Sequence, residues 1–210
     1  MQFSFSSTIL PTLGFALAAL SSVAHADYVW LERDANGAPH AYVGELAADK
    51  QPPASVTAPR AYLADGKDLP VSAVEQALVV DTSAIGDVRL VTSRVGEKGV
   101  LNYYQARYGR SETKAVNDLE LVPTEPGGNT FRLMYKGRPV AASQVNVDTS
   151  EGWRRVLTPA KDGTVSFTPA FPGLYVLEVT ARVDNGSVTL DGQRYTDVRH
   201  TATLSFEVPR

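Results

Sequence analysis

Apolar and polar side chains alternate along most of the chain, and a two-residue period of this kind predicts β-strands. In TATLSFEV, Ala202, Leu204, Phe206 and Val208 fall on one face, with Thr201, Thr203, Ser205 and Glu207 on the other. LYVLEVTA sets Tyr175, Leu177, Val179 and Ala181 against Val176, Glu178 and Thr180 in the same way. YVWLE, HAYVGE, DVRLVTS, GVLNYYQARY and TFRLMY are further strand candidates. No stretch after residue 26 keeps a helical period with caps at both ends. Val71 to Val80 comes nearest, but Pro70 and the β-branched residues that follow argue against a helix there. Turn formers separate the runs: Asp65-Gly66, Lys136-Gly137-Arg138, Asp162-Gly163, Asn185-Gly186 and Asp191-Gly192.

The strand spacing predicts an all-β chain built as two consecutive antiparallel β-sandwich domains. These span residues 27–112 and 118–210 and join at the polar stretch GRSETKAVND, Gly109 to Asp118. Leu133, Val147, Phe167, Tyr175, Leu177, Leu204 and Phe206 are the expected core of the second. QPPASVTAP, Gln51 to Pro59, reads as a long loop in the first.

The N-terminus breaks the alternation. An apolar run from Ile9 to Leu20 is followed by Ser21, Ser22 and the small-x-small triplet Ala24-His25-Ala26. Residues 1–26 therefore read as a signal peptide cleaved before Asp27, which discards His25 and makes the mature chain periplasmic or secreted. The run falls short of the roughly 20 apolar residues that span a bilayer, and Pro11 and Gly14 interrupt it, so no stable membrane insertion of the mature chain is expected.

Composition narrows the chemistry. The chain has no cysteine, so burial rather than disulfides must stabilise it, and cysteine nucleophiles are excluded. Its 20 basic and 23 acidic residues give a net charge of −3 with no basic block, which argues against nucleic acid as a partner. It carries no G-x-S-x-G elbow, H-E-x-x-H pair, phosphate loop or EF-hand loop, and no enzyme activity is expected.

Of the three histidines, His40 is the best metal-ligand candidate, because Glu32, Asp34 and Glu45 lie near it in sequence and can converge across a hairpin. Imidazole with carboxylate suits a divalent transition metal: nickel, cobalt, copper or zinc. The plainer alternative is a polar residue at the start of a strand. His200 can pair with Asp197 but sits where a surface histidine is ordinary. Trp30, Trp153 and the Tyr103-Tyr104 pair offer either an aromatic binding surface or core packing. Arg154 and Arg155 suit a solvated strand edge.

The order G-x-P-V-x-x-x-x-V-x-V, D-G-x-V-x-F, P-G-x-Y-x-L in the C-terminal half resembles carboxypeptidase-regulatory-like and transthyretin-like sandwiches. Together with VWLERDANGAPHAYVGE and RHTATLSFEV, nearly the whole mature chain resembles an exported family of unknown function, often labelled the periplasmic component of ABC-type cobalt/nickel transport systems. That resemblance implies an accessory to transition-metal uptake, working with a membrane transporter or an outer-membrane receptor. Relatives frequently carry a histidine shortly before WLE; here Asp27-Tyr28-Val29 stand there. The alternative function is a non-metal interaction module that holds a partner protein or a glycan through sandwich edges and loops.

Overall fold

The structure, a computed structural model, describes residues 27–84, 86–182 and 187–210. The expected leader and cleavage site (residues 1–26) and the Asn185-Gly186 pair lie outside the described residues. The N-terminal half supplies β1 (Tyr28–Arg33), β2 (Pro39–Gly44), β3 (Thr57–Tyr62), β4 (Asp68–Leu69), β5 (Val71–Val74), β6 (Ala77–Val80), β7 (Val88–Val95) and β8 (Leu101–Tyr108). The C-terminal half supplies β9 (Leu119–Pro123), β10 (Thr130–Tyr135), β11 (Arg138–Pro139), β12 (Val145–Thr149) and β13 (Arg154–Leu157). It continues with β14 (Thr164–Ser166), β15 (Gly173–Arg182), β16 (Val188–Leu190), β17 (Gln193–Tyr195) and β18 (Val198–Val208). The fold is all-β, as the alternation predicts, and the near-helical stretch resolves into β5 and β6. Among the described residues no helix is long and apolar enough to cross a membrane.

One eight-stranded sheet, ordered β13-β12-β15-β18-β8-β7-β3-β4, runs through both halves. Its strands pair antiparallel except at the centre, where β18 lies parallel to β8 from Val198 opposite Leu101 to Ser205 opposite Tyr108. A four-stranded sheet, β1-β2-β6-β5, packs on one face. There Val29, Leu31, Val43, Leu78 and Val80 meet Ala61, Val88, Leu90, Tyr104 and Ala106 in one buried cluster. A second small sheet, β11-β10-β14 with β9 beside β10, covers the other face. Its Leu121, Phe131, Leu133 and Phe167 pack against Val147, Tyr175, Leu177, Leu204 and Phe206, so all seven expected core residues are buried. The register explains why the faces differ. Ala202, Leu204 and Phe206 point into the second core, whereas Thr201, Thr203 and Ser205 share a face with Tyr104, Ala106 and Tyr108.

That polar row is buried rather than solvated. The covering strand is β1: Thr203 Oγ1 donates to the Val29 carbonyl at 2.6 Å, and Ser205 Oγ donates to the Leu31 carbonyl. Tyr28 and Trp30 on β1 also pack on Leu174 and Val176 of β15. The Tyr28 hydroxyl donates to Asp148 and accepts from the Leu46 N–H, both at 2.9 Å. β1 therefore rivets the N-terminal half to the C-terminal one.

The segment 109–118 is strapped down rather than loose. Ser111 and Glu112 donate their backbone N–H groups to Asp87, and Val116 and Asn117 donate theirs to Glu120. Gly109 starts this strap at φ +103°, where a Cβ would collide with the Asp87 carboxylate. The 51–59 stretch is less of a loop than its composition suggests. A bridge from Gln51 to Val43 and a 3-10 turn at Pro53–Ser55 lead straight into β3. Pro59 fits there because the register shifts at a bulge between Thr57 and Arg60.

Candidate functional site

His40 and Glu32 are cross-strand neighbours on β2 and β1. His40 Nε2 lies 3.6 Å from Asp34 Oδ2. Asp34 sits in the turn after β1, where its Oδ1 accepts the N–H groups of Asn36 and Ala38, both at 2.9 Å. The Ala38 hydrogen bond, opposed by desolvation and helped by Asn36 and His40, holds this carboxyl below its ordinary pKa. Glu32 is otherwise engaged: Trp30 Nε1 donates to it at 3.3 Å, and Lys50 Nζ stands 3.8 Å away. Lys50 in turn lies over the Tyr42 ring, 3.4 Å from its centroid. Glu45 points elsewhere and pairs with Arg154 at 3.2 Å. The hairpin thus brings His40, Asp34 and Glu32 into one neighbourhood and leaves Glu45 outside it. Among the described residues no group of three or more His, Cys, Asp or Glu side chains is arranged to hold a metal ion.

The aromatic residues do not form one surface. Trp30 is fully buried, between Tyr28 and Tyr42. Tyr104 belongs to the first core, and Trp153 meets Phe171 edge-on at 6.1 Å. Tyr103 differs, because successive residues of a strand face opposite ways and it points away from Tyr104.

On that side the shared sheet is wider than its cover. The β9–β11 and β14 layer protects the C-terminal strands, and the face of β3, β7, β8 and the start of β18 forms the floor of a groove of about 820 Å³. Two cross-strand rows build the floor: Ser93, Tyr103 and His200, then Arg60, Val91 and Gln105. Val116, Asp118, Tyr135 and Lys136 form one wall, and Val188 and Leu190 of the β16–β17 hairpin add an apolar one. Lys136 and Gly137 both have positive φ, 47° and 73°, so the β10–β11 turn closes in the primed geometry that fits twisted strands. That turn holds Lys136 beside Asp118, whose carbonyl accepts the Lys136 N–H at 2.6 Å.

His200 does not pair with Asp197, which instead faces Arg182 and Arg199 at 3.3 and 3.7 Å. Its Nδ1 lies 3.0 Å from Gln105 Nε2. Gln105 Oε1 accepts the Leu119 N–H at 2.8 Å, so the amide nitrogen is the end turned toward the imidazole. Nδ1 is then the acceptor, and in the neutral ring the proton sits on Nε2. Burial lowers the His200 pKa, with Lys136 acting the same way and Asp118 opposing, which favours that neutral ring. Tyr103 lies 5.2 Å from the imidazole at 35°, and Tyr135 stands nearly perpendicular at 6.1 Å. Burial raises the phenol pKa values of Tyr62 and Tyr103, so both carry their protons at neutral pH.

Beside the groove, the same sheet face carries a buried ion network. Glu120 Oε1 accepts from Arg89 Nε at 3.0 Å and from Arg107 Nη1 at 2.9 Å. Arg107 Nη2 reaches Asp87 Oδ2 at 2.5 Å, and Arg89 Nη1 lies 2.7 Å from Glu112. The sequence marks Tyr103 only as one of a set of aromatic residues and His200 as an ordinary surface histidine, and it leaves Gln105, Ser93 and Tyr135 unmarked. The available signal was the period of β7 and β8, whose outer rows Arg89-Val91-Ser93 and Tyr103-Gln105-Arg107 are unusually polar for central strands.

The chain matches no family model and no curated protein sequence.

Proposed function

We propose that the protein is an exported, non-catalytic binding module whose ligand seat is the groove over β3, β7, β8 and β18. The observation that carries this reading is the uncovered half of one face of the shared sheet. Its floor combines aromatic faces, a polarised imidazole and small hydroxyl side chains, while its walls add apolar residues and one charge of each sign. Concave surfaces with apolar walls and a few convergent polar groups are the usual form of small-ligand sites. A binding rather than catalytic role is supported by His200, whose Nδ1 is engaged by Gln105 and so is not free to take a proton as a general base.

The test is a fragment library of sugars, amino acids, carboxylates and nucleosides, read by amide spectra of the labelled chain from Asp27 to Arg210. Shifts clustering at Ser93, Tyr103, Gln105 and His200 are expected. Hits scattered over the surface, or none, contradict the reading.

A second reading rests on the His40–Asp34 approach with Glu32 opposite: an accessory of transition-metal uptake that hands nickel, cobalt, copper or zinc to a membrane transporter or outer-membrane receptor. A metal taken up there would rest chiefly on His40 and Asp34, so the affinity would be modest and would fall if the imidazole were protonated. Calorimetry with each metal on the wild type and on His40→Ala decides it. Saturable binding lost in the variant supports the site; its absence in the wild type, or its survival in the variant, removes it.

A further inference from the structure

The chemistry lining the groove is specific enough to name a ligand class. Charge comes first. Arg60 is held by Asp68 at 2.7 Å, and the groove lining adds one charge of each sign, Asp118 and Lys136, whose backbones are hydrogen-bonded to each other. A charged ligand would meet one attraction and one repulsion within the same groove. A neutral ligand with hydroxyl groups can use both, donating to the Asp118 carboxylate and accepting from the Lys136 ammonium.

The second constraint is the His200–Gln105–Leu119 chain of hydrogen bonds. Because the Leu119 N–H fixes the Gln105 amide, Nδ1 of His200 is occupied as an acceptor, and Nε2 has no partner among the described residues. Ligating a metal through Nε2 would require the proton to move to Nδ1, against the Gln105 N–H. His200 is thereby set as a hydrogen-bond donor to an oxygen and set against metal ligation.

The third is aromatic. Tyr103 and Tyr135 are half-buried beside the imidazole, and neither hydroxyl has a hydrogen-bond partner among the described residues. A tyrosine ring has a negative face that attracts polarised C–H groups, and its hydroxyl seeks a polar partner. A pyranose ring presents both: a face of axial C–H bonds and a rim of hydroxyls.

We propose that the groove binds a neutral pyranose, with the sugar face on Tyr103, a ring or hydroxyl oxygen on His200 Nε2–H, and vicinal hydroxyls between Asp118 and Lys136. This rests on the binding-module reading and specifies what the module holds. The same chemistry serves a free sugar or a residue within an envelope glycan, so the probes include both lengths.

The experiment is a titration of the chain from Asp27 to Arg210 with glucose, maltose and N-acetylglucosamine disaccharide. Glucuronic acid and glucosamine serve as charged counterparts. Amide shifts confined to the groove are expected, stronger for neutral than for charged sugars. A larger response to the disaccharides assigns the site to a glycan chain, and an equal one to a free sugar; either supports the proposal. Tyr103→Ala should weaken binding by about tenfold, the loss of one stacking contact. His200→Ala should weaken it similarly, and His200→Gln, which restores an N–H donor, should recover part of the loss. Nitrogen spectra of the free protein should show the His200 proton on Nε2. Tighter binding of either charged sugar, full affinity in Tyr103→Ala, or a proton on Nδ1 overturns the proposal. If no sugar binds but other fragments still map to the groove, the sugar assignment falls and the binding-module reading stands. If nothing maps there, both fall.

Discussion

At the scale of single residues, Gln105 does more than its neighbours suggest. It spends its oxygen on the Leu119 N–H at the start of β9 and its nitrogen on His200, tying three strands together through one side chain. Gln105→Leu keeps the volume and removes both bonds, leaving the buried Leu119 N–H unpaired. The expected cost is about 1–3 kcal/mol, read as a lower urea midpoint at unchanged slope. An unchanged midpoint would mean that water replaces the side chain. The sequence made His200 visible as a residue but not its partner. Local spacing offers only Asp197, three positions away, or an ordinary surface histidine, whereas Gln105 arrives from 95 positions away through the parallel β8–β18 pairing. Local spacing carries no information about such a contact.

At the scale of elements, alternation read the central strands of the C-terminal half correctly. Leu177 on β15 and Leu204 on β18 are fully buried cross-strand partners in the second core. Leu177→Ala should cost about 2–5 kcal/mol through lost transfer energy and the cavity left behind. Equilibrium denaturation checks it, and an unshifted midpoint would show that the side chain does not face the core. The polar face of β18 was not legible in the same way. A Thr-Thr-Ser row reads as solvated, yet it is covered by β1, whose carbonyls accept two of the three hydroxyls. A cover that comes from the opposite end of the chain leaves no trace in the strand's own pattern. The Tyr103-Tyr104 pair illustrates the same point at the site, since one ring fills a core and the other lines the groove.

For the whole molecule, the two small sheets sit on opposite faces of a sheet they share, and the groove is the part of that sheet left uncovered. The joint is held by the Arg89–Arg107–Glu120–Asp87 network, which bridges β7 and β8 to β9. Removing one member of a buried ion cluster strands the others, so Glu120→Ala should cost about 3–5 kcal/mol, measured by urea denaturation. The network also sets a pH dependence. Burial alone would raise the Asp87 pKa, but hydrogen bonds from Ser111 and Arg107 hold it below the ordinary carboxylate value. A carboxyl lowered on folding stabilises the protein fully above its unfolded pKa, and that contribution is lost as pH falls through the folded value. The lowered pKa of His200 acts in the same direction, because the unfolded chain binds its proton first as pH falls. Acid titration of stability should therefore show a decline from the imidazole range that steepens through the carboxylate range; stability that rises on acidification would contradict both assignments.

The groove is preformed, because its floor is the joint between the halves. Amide hydrogen exchange along β8 and β18 in the unliganded protein tests it most directly. The parallel pairing predicts that Tyr103, Gln105 and Thr203 exchange as slowly as Leu177 and Leu204 in the second core. Fast exchange at Tyr103 and Gln105 beside a protected Leu177 would mean that the halves part at this seam and that the groove has no permanent floor.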